Sequence, residues 1–202
     1  MQSPVYNTQL FFIPIKRKIA SMSSVRERRA ARQIEDAIER DNWEKARLLI
    51  RQWLRREPNN HWLLTRLGLT YYEQKQYKRA LHYELKALQI EPYCPLVVWD
   101  YAGTLDMLGR KKEALSIYRW LTSWGEERLA FGQCGEGIQA ARSLIADCFY
   151  RIGAILEEQG QRKRAIAAFR EHLSRRTRGT RSIYPRSKVR RRCAKLSSKL
   201  LA

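Results

Sequence analysis

From Val25 to about Arg175 the apolar residues recur every three or four positions, the spacing of helices that bury one face. Ser24-Val25-Arg26-Glu27 has the pattern in which a hydroxyl and a carboxylate satisfy the open amides of a helix start. A helix is expected from Val25 to about Arg40, with Ile34, Ala37 and Ile38 inward, and Asp41-Asn42 as its turn. The next helix aligns Trp43, Ala46, Leu49, Ile50 and Trp53, and stops at Pro58-Asn59-Asn60 because proline cannot continue the amide ladder. Helices near 61–74 and 77–90 follow, ended by Pro92. Pro95 opens a helix to about Leu108, proline being tolerated in a first turn. After Gly109 comes a helix from about Lys111 to Ser123. Gly125, Gly132, Gly135 and Gly137 mark 125–138 as a loop. Two helices, about Gln139 to Gln159 and Gln161 to Arg175, meet at Gly160.

The clearest stretch runs from Leu67-Gly68 through Tyr71 to Ala80 and is closed by Ala87 and Pro92. It forms two short helices whose small residues sit where the helices must approach closely. The same skeleton returns at 34-residue spacing in Ala46, Ala80 and Ala114, in Pro58 and Pro92, and in Gly68 and Ala102. Ile50 and Tyr118 each follow their alanine by four positions. A further copy holds Gly153, Gly160, Ala165 and Phe169, displaced by 17 extra residues that match the loop and a lengthened helix. Over residues 25–175 the chain resembles the tetratricopeptide repeat family. Leu67, Gly68, Tyr71, Ala80, Ala87 and Pro92 carry the best copy, Tyr101, Ala102, Ala114 and Tyr118 the next, and Ile152, Gly153, Ala165 and Phe169 the last. Glu84 stands where the family usually has an aromatic, with Tyr83 beside it.

The resemblance implies an all-α, right-handed α-solenoid of about four helix pairs, each burying an apolar face that it cannot cover alone. The expected organisation is a disordered leader over 1–23, the solenoid over 24–177 with an insertion near 125–138, and a basic C-terminal helix or tail over 178–202. Met22-Ser23-Ser24 is a natural start, so residues 1–21 are expected to arise from start-site choice.

Charge and cysteine usage narrow the function. The net charge of +20 is concentrated at the ends: +6 over residues 1–32 and +11 over 174–202, against +3 between. Leu10-Phe11-Phe12-Ile13 is short, broken by Pro14, and followed rather than preceded by Lys16-Arg17-Lys18, unlike a signal peptide. No apolar run approaches the roughly 20 residues that span a bilayer. Cys94, Cys134, Cys148 and Cys193 are far apart, which argues against zinc or a disulfide framework and for reduced thiols in a cytoplasmic protein.

His61, His82 and His172 are isolated, and no nucleophile elbow, P-loop or HExxH occurs, so a non-catalytic protein without metal or cofactor is expected. Gly132-Gln133-Cys134-Gly135-Glu136-Gly137 reads as a flexible connection, with a weak anion site before the next helix as the sharper alternative. The resemblance further implies a concave surface built by the first helix of each pair. Arg28, Arg32 and Glu35 face it from the first copy, and Trp62, Thr65, Arg66, Leu69 and Tyr72 from the second. Leu96, Trp99 and Asp106 come from the third, and Tyr150 and Arg151 from the fourth. Such an aromatic groove suits a peptide or partner helix; the alternative is that Trp62 and Trp99 pack between helices. Thr65, Leu69 and Trp99 do not form the Lys/Asn/Arg carboxylate clamp of one subfamily, so a chaperone-tail receptor is not expected.

Arg175, Arg176 and Arg178 lead through Ser182-Ile183-Tyr184-Pro185 to Arg186, Lys188, Arg190, Arg191, Arg192 and Lys195. Val189, Cys193, Leu196 and Leu200 fall at helical spacing over 186–201. This segment is a solvating cap, a phosphate-binding surface for nucleic acid or ribosome, or a contact for an anionic membrane. The expected function is a protein–protein interaction module that holds a partner segment in its groove, with a nucleic-acid- or ribosome-associated adaptor as the alternative.

Overall fold

The structure, a computed structural model, describes residues 24–201, with side chains to Ser198. The expected leader and start site lie outside the described residues. Those residues form helices and turns and contain no strand. They fall into two compact units, one ending at Gly109 and the other beginning at Arg110.

The first unit holds α1 (Val25–Glu39), α2 (Trp43–Leu54), α3 (His61–Glu73), α4 (Tyr77–Ile90) and α5 (Pro95–Met107). The Ser24–Glu27 capping box forms as its pattern predicts, with Glu27 N–H donating to Ser24 Oγ at 3.0 Å and Ser24 N–H to Glu27 Oε2 at 3.3 Å. Asn42 and Asn60 cap α2 and α3 by accepting from Lys45 N–H and Leu63 N–H, while Pro95 occupies the first turn of α5. The core is built from Ile34, Ile38, Ile50, Leu67 and Tyr71, with Ala46 and Ala80 fully buried where helices approach. A Cβ on Gly68 would lie 3.2 Å from Glu84 Cγ, so α3 and α4 pack at nearly the closest separation available. Tyr83 stacks on Tyr71 with centroids 5.5 Å apart and supplies the aromatic surface that Glu84 lacks.

The second unit holds α6 (Lys111–Ser123), α7 (Gly125–Phe131), α8 (Ile138–Glu158), α9 (Arg162–Arg175) and α10 (Arg186–Leu201). Ala114, Tyr118, Ala165 and Phe169 are completely buried. A Cβ on Gly153 would sit 2.8 Å from two ring carbons of Phe169, so only glycine fits there.

The turn inside each helix pair repeats one conformation, announced by glycine in two copies but not by Asp41 or Lys75. Asp41, Lys75, Gly109 and Gly160 all have positive φ, at 53°, 60°, 80° and 73°. They share the array's register, and this left-handed residue lets the chain leave one helix and enter the next. Asn42 N–H then donates to Ala37 O at 2.8 Å, and Gln76 N–H to Tyr71 O at 2.9 Å.

The expected loop over 125–138 is half helical. Gly125, at φ 76°, breaks the chain from α6 and α7 follows at once, with Leu129 and Ala130 buried. Glu126 anchors it through Arg142 at 2.8 Å. The glycines beyond close a tight turn. Gly137 N–H donates to Ala130 O at 3.0 Å, and a Cβ on Gly135 would meet that same oxygen at 2.4 Å. Close backbone packing therefore accounts for these glycines. Cys134 and the other three cysteines are unbridged.

Candidate functional site

In the first unit the α3 and α5 positions assigned to a concave face are packed more deeply than an open groove would be. Trp62, Thr65, Arg66, Trp99 and Asp106 are buried, while Leu69, Tyr72 and Leu96 are half-buried. Trp62 and Trp99 thus act as packing residues, at 4% and 3% exposure. Thr65 turns its hydroxyl back to His61 O at 2.7 Å, a bond within its own helix.

Arg66 carries the charge of this face. Its Nε donates to Glu35 Oε1 at 2.7 Å in an ion pair shut off from solvent, and its guanidinium lies 5.7 Å from the Trp62 ring centroid. Burial raises the Glu35 carboxyl above its ordinary range, and the Arg66 charge and hydrogen bond oppose that shift.

Three further carboxyls lie in this unit, of which Asp100 feels the Arg66 charge; among the described residues no cation hydrogen-bonds to any of them. Glu84, at 1% exposure, accepts the Thr104 hydroxyl at 2.7 Å on Oε1, while its buried Oε2 has no partner. Asp100 on α5 and Glu73 on α3 are half-buried, each with one buried oxygen that has no partner. Desolvation raises Asp100 to about 7, against the pull of Arg66, with Cys94 adding a smaller push. Desolvation, then Asp41 and Asp100, raise Glu73 to about 7. Glu84 is driven well above its ordinary value by burial and then by Asp100, and the Thr104 bond only partly offsets this. Glu73, Glu84 and Asp100 were not among the residues expected on this face. Glu84 carried the one signal, an acid at a repeat position that elsewhere holds Ile50, Tyr118 or Phe169.

In the second unit Tyr150 and Arg151 are buried rather than open. The chain that leads to α10 crosses Tyr150, and Tyr184 stacks on that ring with centroids 3.6 Å apart and planes 14° from parallel. Ile183 N–H donates to Asp147 Oδ2 at 3.3 Å, and Arg176 to Tyr184 O at 2.7 Å. Arg192 on α10 pairs with Glu157, donates to the Tyr150 hydroxyl at 3.0 Å and lies 5.0 Å from the Phe169 ring centroid. His172, fully buried, contacts Ala146 O at 2.8 Å through Nδ1, and desolvation lowers it to about 4. Burial raises Asp147 to about 7, against its bonds to Ser182 and Ile183.

The basic residues consequently divide into two groups. Arg175, bonded to Glu171 at 2.7 Å, together with Arg176 and Arg192, holds the unit together. Arg178, Arg186, Lys188, Arg190, Arg191 and Lys195 are exposed. Among the described residues, no helix is long and apolar enough to cross a membrane.

Two family models, both described as tetratricopeptide repeat, match residues 63–94 and 147–174, the second and fourth copies. The chain thus carries tetratricopeptide repeats at 63–94 and 147–174, and its all-α fold is an α-solenoid of such repeats. Among solved structures it is similar to MamA 41-end from Desulfovibrio magneticus RS-1, with 16% identity and a TM-score of 0.58 over 85% of this chain and 91% of that one. It is also similar to a crystal structure of MamA protein, with 18% identity and a TM-score of 0.56 over 85% and 88% of the two chains. A second MamA crystal structure gives 19% identity and a TM-score of 0.55 over 83% and 92%. No curated protein sequence matches the chain. This repeat architecture is a protein-interaction scaffold and is typically non-catalytic.

Proposed function

We propose that the first unit holds a peptide or helix of a protein partner on the α3/α5 face, in a cytoplasmic setting suited to four unbridged thiols. The observation that supports this reading is the trio Leu69, Tyr72 and Leu96, which remain half-buried beside the packed Trp62 and Trp99. Apolar side chains left partly open against a rigid aromatic floor are the usual anchors for an extended or helical ligand. Because Trp62 and Trp99 belong to the core, alanine there would act through stability. Leu69 and Tyr72 are the residues to perturb. A photo-crosslinking amino acid at Leu69 should capture a discrete partner in the native host. The same group at Leu48, exposed on α2, should not. Equal capture at both positions, or none at Leu69, refutes the reading.

The alternative, a polyanion-binding adaptor, draws on the seven exposed cations from Arg178 to Lys195, Arg181 among them. It requires binding to single-stranded RNA with a log–log salt slope of about −0.7 per neutralised phosphate. Substituting Arg190, Arg191 and Lys195 by Gln should then lower the slope by about 2. An unchanged slope, or no binding at low salt, excludes it.

A further inference from the structure

Glu73, Glu84 and Asp100 converge where α3, α4 and α5 meet, and their arrangement is unlike a solvated acidic face. Arg66, the cation nearest them, already gives its Nε to Glu35. Glu84 is nine-tenths buried and more, held from one side by Thr104 Oγ1 and packed over Gly68, with Oε2 left without a partner. In the helix-pair skeleton this position calls for an apolar ring or branched chain, as Tyr118 and Phe169 supply in other copies. A buried carboxyl with an open acceptor is costly to the fold on its own. Asp100 acts on Glu84 and also on Glu73; Asp100 and Glu73 each have one buried, unpartnered oxygen. Asp100 is thus the common neighbour, close enough to act on both other carboxyls, and Asp100 and Glu73 are only half-buried.

We propose that this carboxyl cluster is a subsite for one basic side chain, a lysine ammonium or arginine guanidinium, of the peptide bound on the α3/α5 face. The proposal rests on the groove reading and adds the chemistry of the ligand. A cation seated between Asp100 and Glu73 would supply the donors that the unpartnered oxygens of these two residues lack. It would also turn mutual repulsion among the carboxylates into attraction. Selectivity follows from the same geometry, since an acidic or neutral side chain at that point would leave the buried acceptors unpaired.

The groups facing the cluster determine its behaviour with pH. They are Arg66 with its partner Glu35, Asp41 near Glu73, Cys94 near Asp100, and Thr104 on Glu84. Asp100 and Glu73 keep protons up to about pH 7 in the free protein, so a bound cation must release protons.

The test uses the full chain and a short fluorescein-labelled peptide of alternating alanine and lysine, with the same peptide carrying acetylated lysines as its counterpart. The lysine peptide should bind, more tightly at pH 8 than at pH 6, with proton release detectable by calorimetry in buffers of different ionisation enthalpy. Asp100→Asn and, independently, Glu73→Gln should each weaken it on the order of tenfold. Glu44→Gln, an exposed acid on α2, should leave it unchanged. Circular dichroism melting checks that each variant is folded, and the second variant decides the matter if the first is not. Equal binding of the acetylated peptide, no binding of the lysine peptide, or an effect of Glu44→Gln as large as that of Asp100→Asn overturns the proposal. A partner captured at Leu69 without lysine or arginine at the contact overturns this assignment and leaves the groove reading standing. Failure of capture at Leu69 removes the groove reading itself.

Discussion

Asp100→Asn should make the protein more stable at alkaline pH than the unaltered chain, in contrast to most losses of a charged residue. An unfolded aspartate releases its proton near pH 4, whereas burial holds the folded carboxyl to about 7. Between those values the folded state keeps a proton that the unfolded state has lost. Stability is therefore fullest below the lower value and falls as pH rises across the window. From pH 5 to pH 7 the fall is at most about 2.7 kcal/mol, at about 1.4 kcal/mol per pH unit. Partial exposure of Asp100 and its coupling to Glu73 and Glu84 reduce this by about half, to roughly 1.3 kcal/mol. Asparagine keeps the shape and cannot charge, so this dependence should vanish from its share of the stability. The assay is urea unfolding followed by tryptophan fluorescence at pH 5, 6, 7 and 8, for both proteins at equal ionic strength. The stability difference in favour of Asp100→Asn should grow by about 1–1.5 kcal/mol from pH 5 to pH 8. A constant difference, or one that shrinks with pH, refutes the placement of a protonated carboxyl among these helices.

Further predictions concern the backbone and the cap. Lys75→Gly should raise unfolding stability by about 1 kcal/mol in denaturant titration, because φ 60° costs a β-carbon-bearing residue and not glycine. Gly153→Ala should lower the melting temperature despite a helix-propensity gain of about 1 kcal/mol, since overpacking against the buried Phe169 ring costs roughly 1–3 kcal/mol. Tyr184→Ala removes the stack on Tyr150 and should cost about 3 kcal/mol, read as faster tryptic cleavage between Arg176 and Arg192. His172→Gln should flatten the loss of stability on acidification from pH 6.5 to about 4, the window in which only the unfolded histidine takes a proton.

The helix boundaries were legible to within a residue or two because proline, capping side chains and small residues punctuate this chain locally. Ala46, Ala80, Ala114 and Ala165 announce close approach by their size alone, and all four are fully buried. The α10 helix was legible from Val189 and Leu196, which point inward at helical spacing. α7 was hidden because the glycines around it signal a loop, while the bond that anchors it spans 16 residues to Arg142. The site was harder still. Arg66 meets Glu35 across 31 residues of chain, and the repeat pattern gives no reason for that pair to be buried. Arg192 looks like its neighbours Arg190 and Arg191 until the fold sets it against Tyr150 and Glu157. Local pattern therefore locates the scaffold, whereas the partners of buried charges depend on contacts that the fold alone creates.

Amide hydrogen exchange on the full chain, with and without the partner captured at Leu69, tests the central claim most directly. The account predicts protection gained across residues 61–73 and 95–107, with α2 and α9 unchanged. Protection confined to 186–201, or absent from α3 and α5, contradicts it.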